Sequence, residues 1–329
     1  MNIQKKNNLS KSSTIRGEKI AVIGAGLMGR GICQSFASTG YEVSLVDLNN
    51  AILNRAMEQI EGSLKNIEEK GLLDESPRQV LGRISPETDF SKACSNATFA
   101  EEAVFENLEV KKETFAKLSS VSSPDCILAT NTTSLPVSSI AGAADRQERV
   151  IGAHFWNPPQ LMLAVEVVKG EKTSESVVER TVSLLRSIGK NPAVVRKDVP
   201  GQIGIRILYA MIREATSLVE NGVASPEDVD RVVKEALGTR LEVLGPLELC
   251  DLSGIDLVNN VAKGLYSELD ASQGPQRIIM DMVANNELGI KTGKGFYDWN
   301  LGRKTVQDTT RLRDEHLMKI LKERKENQN

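Results

Sequence analysis

Apolar residues in the first half of the chain fall in short unbroken or alternating runs, the spacing of strands. Lys19 to Ile23 predicts a first strand, which turns at a cluster of glycines into a helix through Ser38. Tyr41 to Asp47 alternates and predicts a second strand, followed by helical spacing from Ala51 to Gly71. Further strands are expected at Cys126–Ala129, Val150–Ala153, Leu163–Val168 and Ala193–Val195. Strands separated by helices predict an α/β fold, a mostly parallel sheet covered on both faces.

The pattern changes at Asp198-Val199-Pro200-Gly201. Beyond it, Ile205, Leu208, Ile212, Ala215 and Leu218 share one helical face, and Asn221-Gly222 ends that helix. Ser225 and Pro226 open another, with a serine cap and proline in the first turn. Its apolar Val229, Val232, Val233, Ala236 and Leu237 lead to Gly238, read as the C-terminal cap. The expected division is a disordered polar tail over 1–18 and a sheet domain over 19–199. An all-helical C-terminal domain over 200–300 and a charged tail over 301–329 complete it.

Composition narrows the function. The 329 residues suffice for two domains with cores of their own. A net charge of −3 gives no general attraction to nucleic acid or to an anionic membrane, so neither is expected as a partner. No apolar run is long enough to span a bilayer, and the first eighteen residues lack the apolar core of a signal peptide. Cys33, Cys94, Cys126 and Cys250 are scattered without a Cys-x-x-Cys pair. That fits a reducing cytoplasm and supports no metal site.

The candidate chemistry begins at Gly24-x-Gly26-x-x-Gly29, where a strand passes into a helix, with Leu27 and Met28 between the glycines. Gly24 permits the tight turn, Gly26 lets backbone approach a pyrophosphate, and Gly29 lets the helix pack closely on the sheet. Asp47, ending the second strand, suits both ribose hydroxyls and repels a 2′-phosphate. Leu48, Asn49 and Asn50 supply no arginine to offset that repulsion, so NAD is expected over NADP.

Of the two histidines, His316 lies in a charged stretch suited to a solvated surface. His154 closes a strand, where α/β sheets bind ligands. Its imidazole, of a type that titrates near neutrality, suits the acceptance of a hydroxyl proton. Glu166, amid valines, is costly to bury without a partner. It pairs with His154 if its strand is central and faces water if the strand is an edge. Asn131-Thr132-Thr133-Ser134 reads from spacing alone as a polar turn.

Together these runs resemble the L-3-hydroxyacyl-CoA dehydrogenase family from about Lys19 to Trp299. The similarity rests on Gly24–Gly29, Glu102–Leu108, Asn131–Pro136, His154–Pro158, Lys197–Gly201, Asp251–Asp256 and Lys291–Tyr297. The resemblance implies a Rossmann-type N-terminal domain and a helical C-terminal domain that forms a homodimer interface. It implies that His154 and Glu166 are the catalytic pair, with Asn157 close by and Thr133 orienting the substrate oxygen. Asp47, Glu106, Lys111 and Asn131 fall where the family contacts NAD, and Ser63 and Lys70 where relatives contact coenzyme A.

Two departures bear on the substrate. Thr133 stands where the family has the first serine of Asn-Thr-Ser-Ser. Ile205, in Pro200-Gly-Gln-Ile-Gly-Ile-Arg206, replaces an asparagine that helps hold the substrate. The doubled Pro158-Pro159 is similar to the branch acting on L-gulonate and L-carnitine. The implied reaction is NAD-dependent oxidation of a short 3-hydroxyacyl-CoA. A CoA-free 3-hydroxy acid or polyol is the alternative substrate, and a weakly active dinucleotide-binding protein a minor one.

Overall fold

Four consecutive apolar residues, Ile20–Ile23, form β1, and all are buried, as a strand covered on both faces requires. In the computed structural model, which describes residues 17–300 and 305–326, β1 lies inside an eight-stranded sheet. The others are β2 (Val43–Val46), β3 (Ile84–Glu87), β4 (Phe99–Glu102), β5 (Ile127–Thr130), β6 (Val150–Phe155), β7 (Ala164–Val168) and β8 (Asn191–Val195). Their order is β3-β2-β1-β4-β5-β6-β7-β8, and only β6 and β7 pair antiparallel. The mostly parallel sheet is present, with two strands the apolar pattern missed. Edge strand β3 carries Pro86, tolerated there because an edge can lack a donor. Glu101 and Glu102 disguise β4, which lies between β1 and β5.

The strands are joined by α1 (Leu27–Ala37), α2 (Asn50–Glu69), α3 (Pro77–Leu81), α4 (Phe90–Cys94), α5 (Leu108–Val121), α6 (Val137–Ala141) and α7 (Glu175–Ser187). Helices α1, α2, α3 and α7 bury their apolar stripes on one face of the sheet. On the other face α4, α5 and α6 do so with Cys94, Phe115, Leu118 and Ile140. In α2 the buried residues are Leu53, Ala56, Ile60 and Leu64, the spacing of one helical face. Asn49 caps that helix, its side chain accepting the Ile52 N–H at 3.0 Å.

Among the described residues, this layered body belongs to one compact unit, within Met1–Ile205 and Leu312–Asn329, and those within Arg206–Arg311 form a second. Helix α8 (Gly204–Glu220) ends before Gly222, whose φ of +69° reverses the chain. In α9 (Pro226–Val232), Ser225 Oγ accepts the Asp228 N–H at 3.1 Å, the cap the sequence announced. Gly238, however, is not a C-terminal cap. Its backbone is helical, and the chain runs through a wider turn over Val233–Gly238 into α10 (Thr239–Leu241). A glycine ends a helix only where it takes the left-handed conformation, which this one does not.

Helices α11 (Pro246–Ser253), α12 (Ile255–Leu265) and α13 (Arg277–Ala284) follow. Among the described residues of this second unit, no apolar side chain is buried.

The two tails also differ from expectation. Residues 1–16 lie outside the described residues, but Glu18 is ordered, its buried carboxylate paired with Arg180 at 2.7 Å. Over the stretch read as a charged tail, Val306–Glu326 form α14, which buries Met318 at 2% exposure. Lys325 on that helix pairs with Asp74 at 2.7 Å.

Candidate active site

Strand β1 pairs with β2 on one side and β4 on the other, so the sheet is built outward in both directions from this point. In open α/β sheets such a point, at the carboxyl ends of the strands, is where ligands bind. Gly24 turns away from β1 with φ of +100°, and a Cβ on it would lie 2.7 Å from the Ala103 carbonyl oxygen. At Gly29 a Cβ would lie 1.7 Å from the Gly24 oxygen, so only glycine lets α1 pack this close. Gly26 is the opposite case. Nothing lies within 4 Å of the Cβ position, and no side chain caps α1. An open surface over helical N–H groups fits a phosphate. Leu27 is exposed beside it, whereas Met28 packs onto the core.

Asp47 closes this cradle from the end of β2. Its Oδ2 accepts the Ala25 N–H and its Oδ1 the Leu48 N–H, each at 2.7 Å. Leu48 and Phe105, 91% and 87% exposed, follow β2 and β4 on either side of β1. Two exposed apolar side chains at this end of the sheet suit the face of a purine. The sequence pattern gave neither of them a binding role, because a lone apolar residue in a loop carries no periodic signal.

Glu106 and Lys111 form a connected set. Glu106 Oε1 accepts the N–H groups of Thr133 (2.9 Å) and Ser134 (2.8 Å) and the hydroxyl of Thr132 (2.8 Å). Burial raises its carboxyl pKa, but Ser134, Thr132, Lys111 and Thr133 together outweigh this and lower it. Lys111, expected at the dinucleotide, is 1% exposed, with Glu102 Oε1 at 2.7 Å and Glu106 Oε2 at 3.4 Å. Its ammonium is thus held between two carboxylates and helps keep Glu106 charged. Glu102 also accepts from the Thr130 hydroxyl (2.7 Å) and the Val104 N–H (2.8 Å).

His154 and Glu166 stand opposite each other on β6 and β7, so their side chains share one face. His154 Nδ1 lies 2.9 Å from Glu166 Oε2, and both residues are 4% exposed. Between β6 and β8, β7 is no edge, so the paired arrangement left open by the sequence is the one found. Glu166 Oε1 accepts the N–H groups of Ile203 at 2.8 Å and Gly204 at 3.0 Å. Burial raises the Glu166 carboxyl pKa, but the bonds from His154, Gly204 and Ile203 more than offset it, so the carboxylate is favoured. With Nδ1 held by this charge, Nε2 is the ring nitrogen turned away from Glu166. Asn131 Oδ1 accepts the Phe155 N–H at 2.8 Å and fixes the end of β6 beside the histidine.

The remaining expected residues are dispersed. Thr133 is half-buried in the loop that Glu106 holds, and exposed Asn157 precedes Pro158 through a cis peptide bond. Ser63 on α2 comes within 3.5 Å of Gln160 Nε2, in the loop after β6. Lys70 is exposed at the C-terminal end of α2, and Ile205 is half-buried in the first turn of α8. His316 is exposed on α14. Lys190 was missed entirely. Only 5% exposed, it donates to the carbonyls of Pro159 (2.6 Å) and Met162 (2.9 Å), and burial pushes its amine down to about 8. It thus ties down the loop that follows His154, and no local pattern marks a lysine for that task.

Comparison with known proteins accords with this geometry. Residues 19–199 match the NAD-binding domain of 3-hydroxyacyl-CoA dehydrogenase, and residues 201–299 match its C-terminal domain. The chain is 39% identical over 308 residues to the mitochondrial hydroxyacyl-coenzyme A dehydrogenase of Sus scrofa, covering 89% of this chain and 96% of that protein. The crystal structure of (S)-3-hydroxybutyryl-CoA dehydrogenase from Ralstonia eutropha superposes with a TM-score of 0.73 at 33% identity, covering 86% of this chain and 99% of that one. A 5-formyl-3-hydroxy-2-methylpyridine 4-carboxylic acid 5-dehydrogenase superposes with a TM-score of 0.84 at 32% identity, covering 93% and 97%. A glycine cradle for NAD and a buried histidine–glutamate pair, on a chain matched along nearly its whole length, lead to one conclusion: this protein belongs to the 3-hydroxyacyl-CoA dehydrogenase family and is an NAD-dependent oxidoreductase.

Proposed function

We propose that the protein interconverts a short L-3-hydroxyacyl-CoA and its 3-oxoacyl-CoA, with His154 as the proton acceptor. The buried His154–Glu166 pair carries this reading. In the oxidation, the substrate hydroxyl gives its proton to Nε2, and the Glu166 carboxylate stabilises the resulting imidazolium through Nδ1. When bound, NAD supplies the acceptor for the hydride that leaves the same carbon. The glycine loop, Asp47, Asn131 and the Glu106–Lys111 set hold the dinucleotide, the last by fixing the loop that carries Thr133. Thr133 orients the substrate oxygen, with Asn157 beside it, and Ser63 and Lys70 meet coenzyme A.

The relatives named for CoA esters support that substrate, whereas Ile205 sets the point to be tested. A buried substrate group facing Ile205 without a hydrogen bond is penalised by ~1–3 kcal/mol. Ile205→Asn is expected to raise kcat/KM on 3-hydroxybutyryl-CoA about tenfold, the rate equivalent of ~1.4 kcal/mol. The assay compares acetoacetyl-CoA with free 3-oxo acids. A gain on the CoA ester alone supports the reading. No gain, with fast turnover of a CoA-free substrate by the unmutated protein, transfers the function to that class and removes Ser63 and Lys70 from the site.

The second unit favours a homodimer. Ile255, Leu257, Val261 and Leu265 on α12 are 46–59% exposed, and Val243 and Leu247 are 80% exposed. Helices with no buried apolar side chain gain a core only against another surface. Sedimentation equilibrium is expected to give twice the chain mass, and Val261→Lys to shift the protein toward monomer. A stable monomer at micromolar concentration would refute this. Four cysteines without a disulfide support a reducing compartment, which we take to be the cytoplasm.

A further inference from the structure

Beyond Glu166, the imidazole has an aromatic neighbour. The rings of His154 and Trp156 are 5.2 Å apart between centroids and inclined at 56°. Trp156 is half-buried, two residues along from the histidine at the end of β6. Its indole rests on Gly204. A Cβ at that glycine would lie 2.2 Å from Trp156 Cζ2 and 2.9 Å from Cη2, too close for any side chain. The Gly204 backbone does not lie in the left-handed region, so its conformation does not demand glycine. What demands it is the indole. The same Gly204 donates its N–H to Glu166 Oε1 at 3.0 Å. Imidazole, carboxylate, glycine backbone and indole thus close into a ring of contacts around His154.

We propose that Trp156 and Gly204 are a size-matched pair that positions His154: the indole, seated on the glycine, limits the imidazole on the side not held by Glu166. Trp156 is a positioning residue here, acting through the histidine. The inference rests on the reading that His154 exchanges the proton. An imidazole swung out of line by an ångström misplaces Nε2, and displacements of that size carry large rate penalties. The pair is specific to this arrangement. An added methyl at position 204 drives the indole toward His154 or out of its seat, and a smaller ring at position 156 restores the space.

Four variants test the pair: Gly204→Ala, Trp156→Phe, the double variant, and His154→Gln as control. Gly204→Ala is expected to lower kcat about tenfold with KM for NADH nearly unchanged, since the perturbation falls on geometry and not on cofactor binding. The double variant is expected to return to within about threefold of Trp156→Phe alone. A second readout does not depend on the substrate. With Trp299 replaced by phenylalanine, the emission of Trp156 should change as His154 titrates, because an imidazolium quenches an adjacent indole. That titration should be absent in His154→Gln and displaced in Gly204→Ala.

Unchanged kcat and an unmoved titration in Gly204→Ala would overturn the proposal, as would a double variant no better than the single one. If Gly204→Ala does not fold, a folded and active double variant supports the pair, and an unfolded one overturns it. If His154→Gln keeps its turnover while the titration and its displacement behave as described, the pair stands and the proton-acceptor reading fails.

Discussion

His154→Gln is expected to lower turnover by ~10²–10⁴-fold, the usual loss when a positioned base is removed. Affinity for NADH should be nearly unchanged, because the glycine loop and Asp47 lie on other strands than the histidine. Glu166→Gln should be less damaging and more diagnostic. The carboxylate, 2.9 Å from Nδ1, stabilises the charged imidazolium, so its loss favours the neutral ring. Oxidation needs that neutral ring, and the acidic limb of its pH profile should therefore move to lower pH in the glutamine variant. Steady-state rates on 3-hydroxybutyryl-CoA across pH, with NADH fluorescence titration alongside, measure both effects. Retention of most activity by His154→Gln on an authentic substrate would end the mechanism.

Lys111→Met should be the most damaging change to stability. Its ammonium is 1% exposed and faces the fully buried Glu102 at 2.7 Å. Removing one member of such a pair leaves a buried charge unbalanced, typically at ~3–5 kcal/mol. For a unit of this size that corresponds to a fall in Tm of roughly 6–20 °C. Lys111 also partly offsets the raised pKa of the buried Glu101 carboxyl, so its loss pushes that group further up. A carboxyl whose folded pKa is raised contributes stability that is lost as pH rises above the unfolded value, so the deficit should widen from acid toward neutral pH.

Glu101 already has that sign. It is 0% exposed, neither oxygen has a hydrogen-bond partner, and burial followed by the charge of Glu102 holds its carboxyl well above the ordinary range. A combined Lys111→Met and Glu102→Gln variant, with no charge left at the pair, should recover part of the loss. Thermal melts at several pH values check this, and a Tm for Lys111→Met within about 2 °C of the parent, under ~1 kcal/mol, would refute it.

The site was legible to different depths for different reasons. The glycine spacing announced the dinucleotide loop because each glycine answers a local demand, at Gly24 a positive φ and at Gly29 a close helix. His154 was legible by scarcity, in a chain with two histidines. Its partner was legible only conditionally. Glu166 among valines implied either a buried pair or an edge, and the place of β7 between β6 and β8 decided between them. Strand β4 was hidden for a related reason. Glu101-Glu102 reads as polar surface until Lys111 and Thr130 are brought against Glu102 from α5 and β5.

By itself the sequence determined the parallel sheet, the nucleotide turn, the helical second half and the candidate base, because these follow from periodicity and from backbone demands at single residues. Only the tertiary structure decided which buried charges are balanced and what holds the loops near His154. Lys190 on the Pro159 and Met162 carbonyls and the indole of Trp156 on Gly204 join residues 28 to 48 positions apart. No periodicity records such contacts. Their free energy depends on burial and on partners that meet only once the chain has folded.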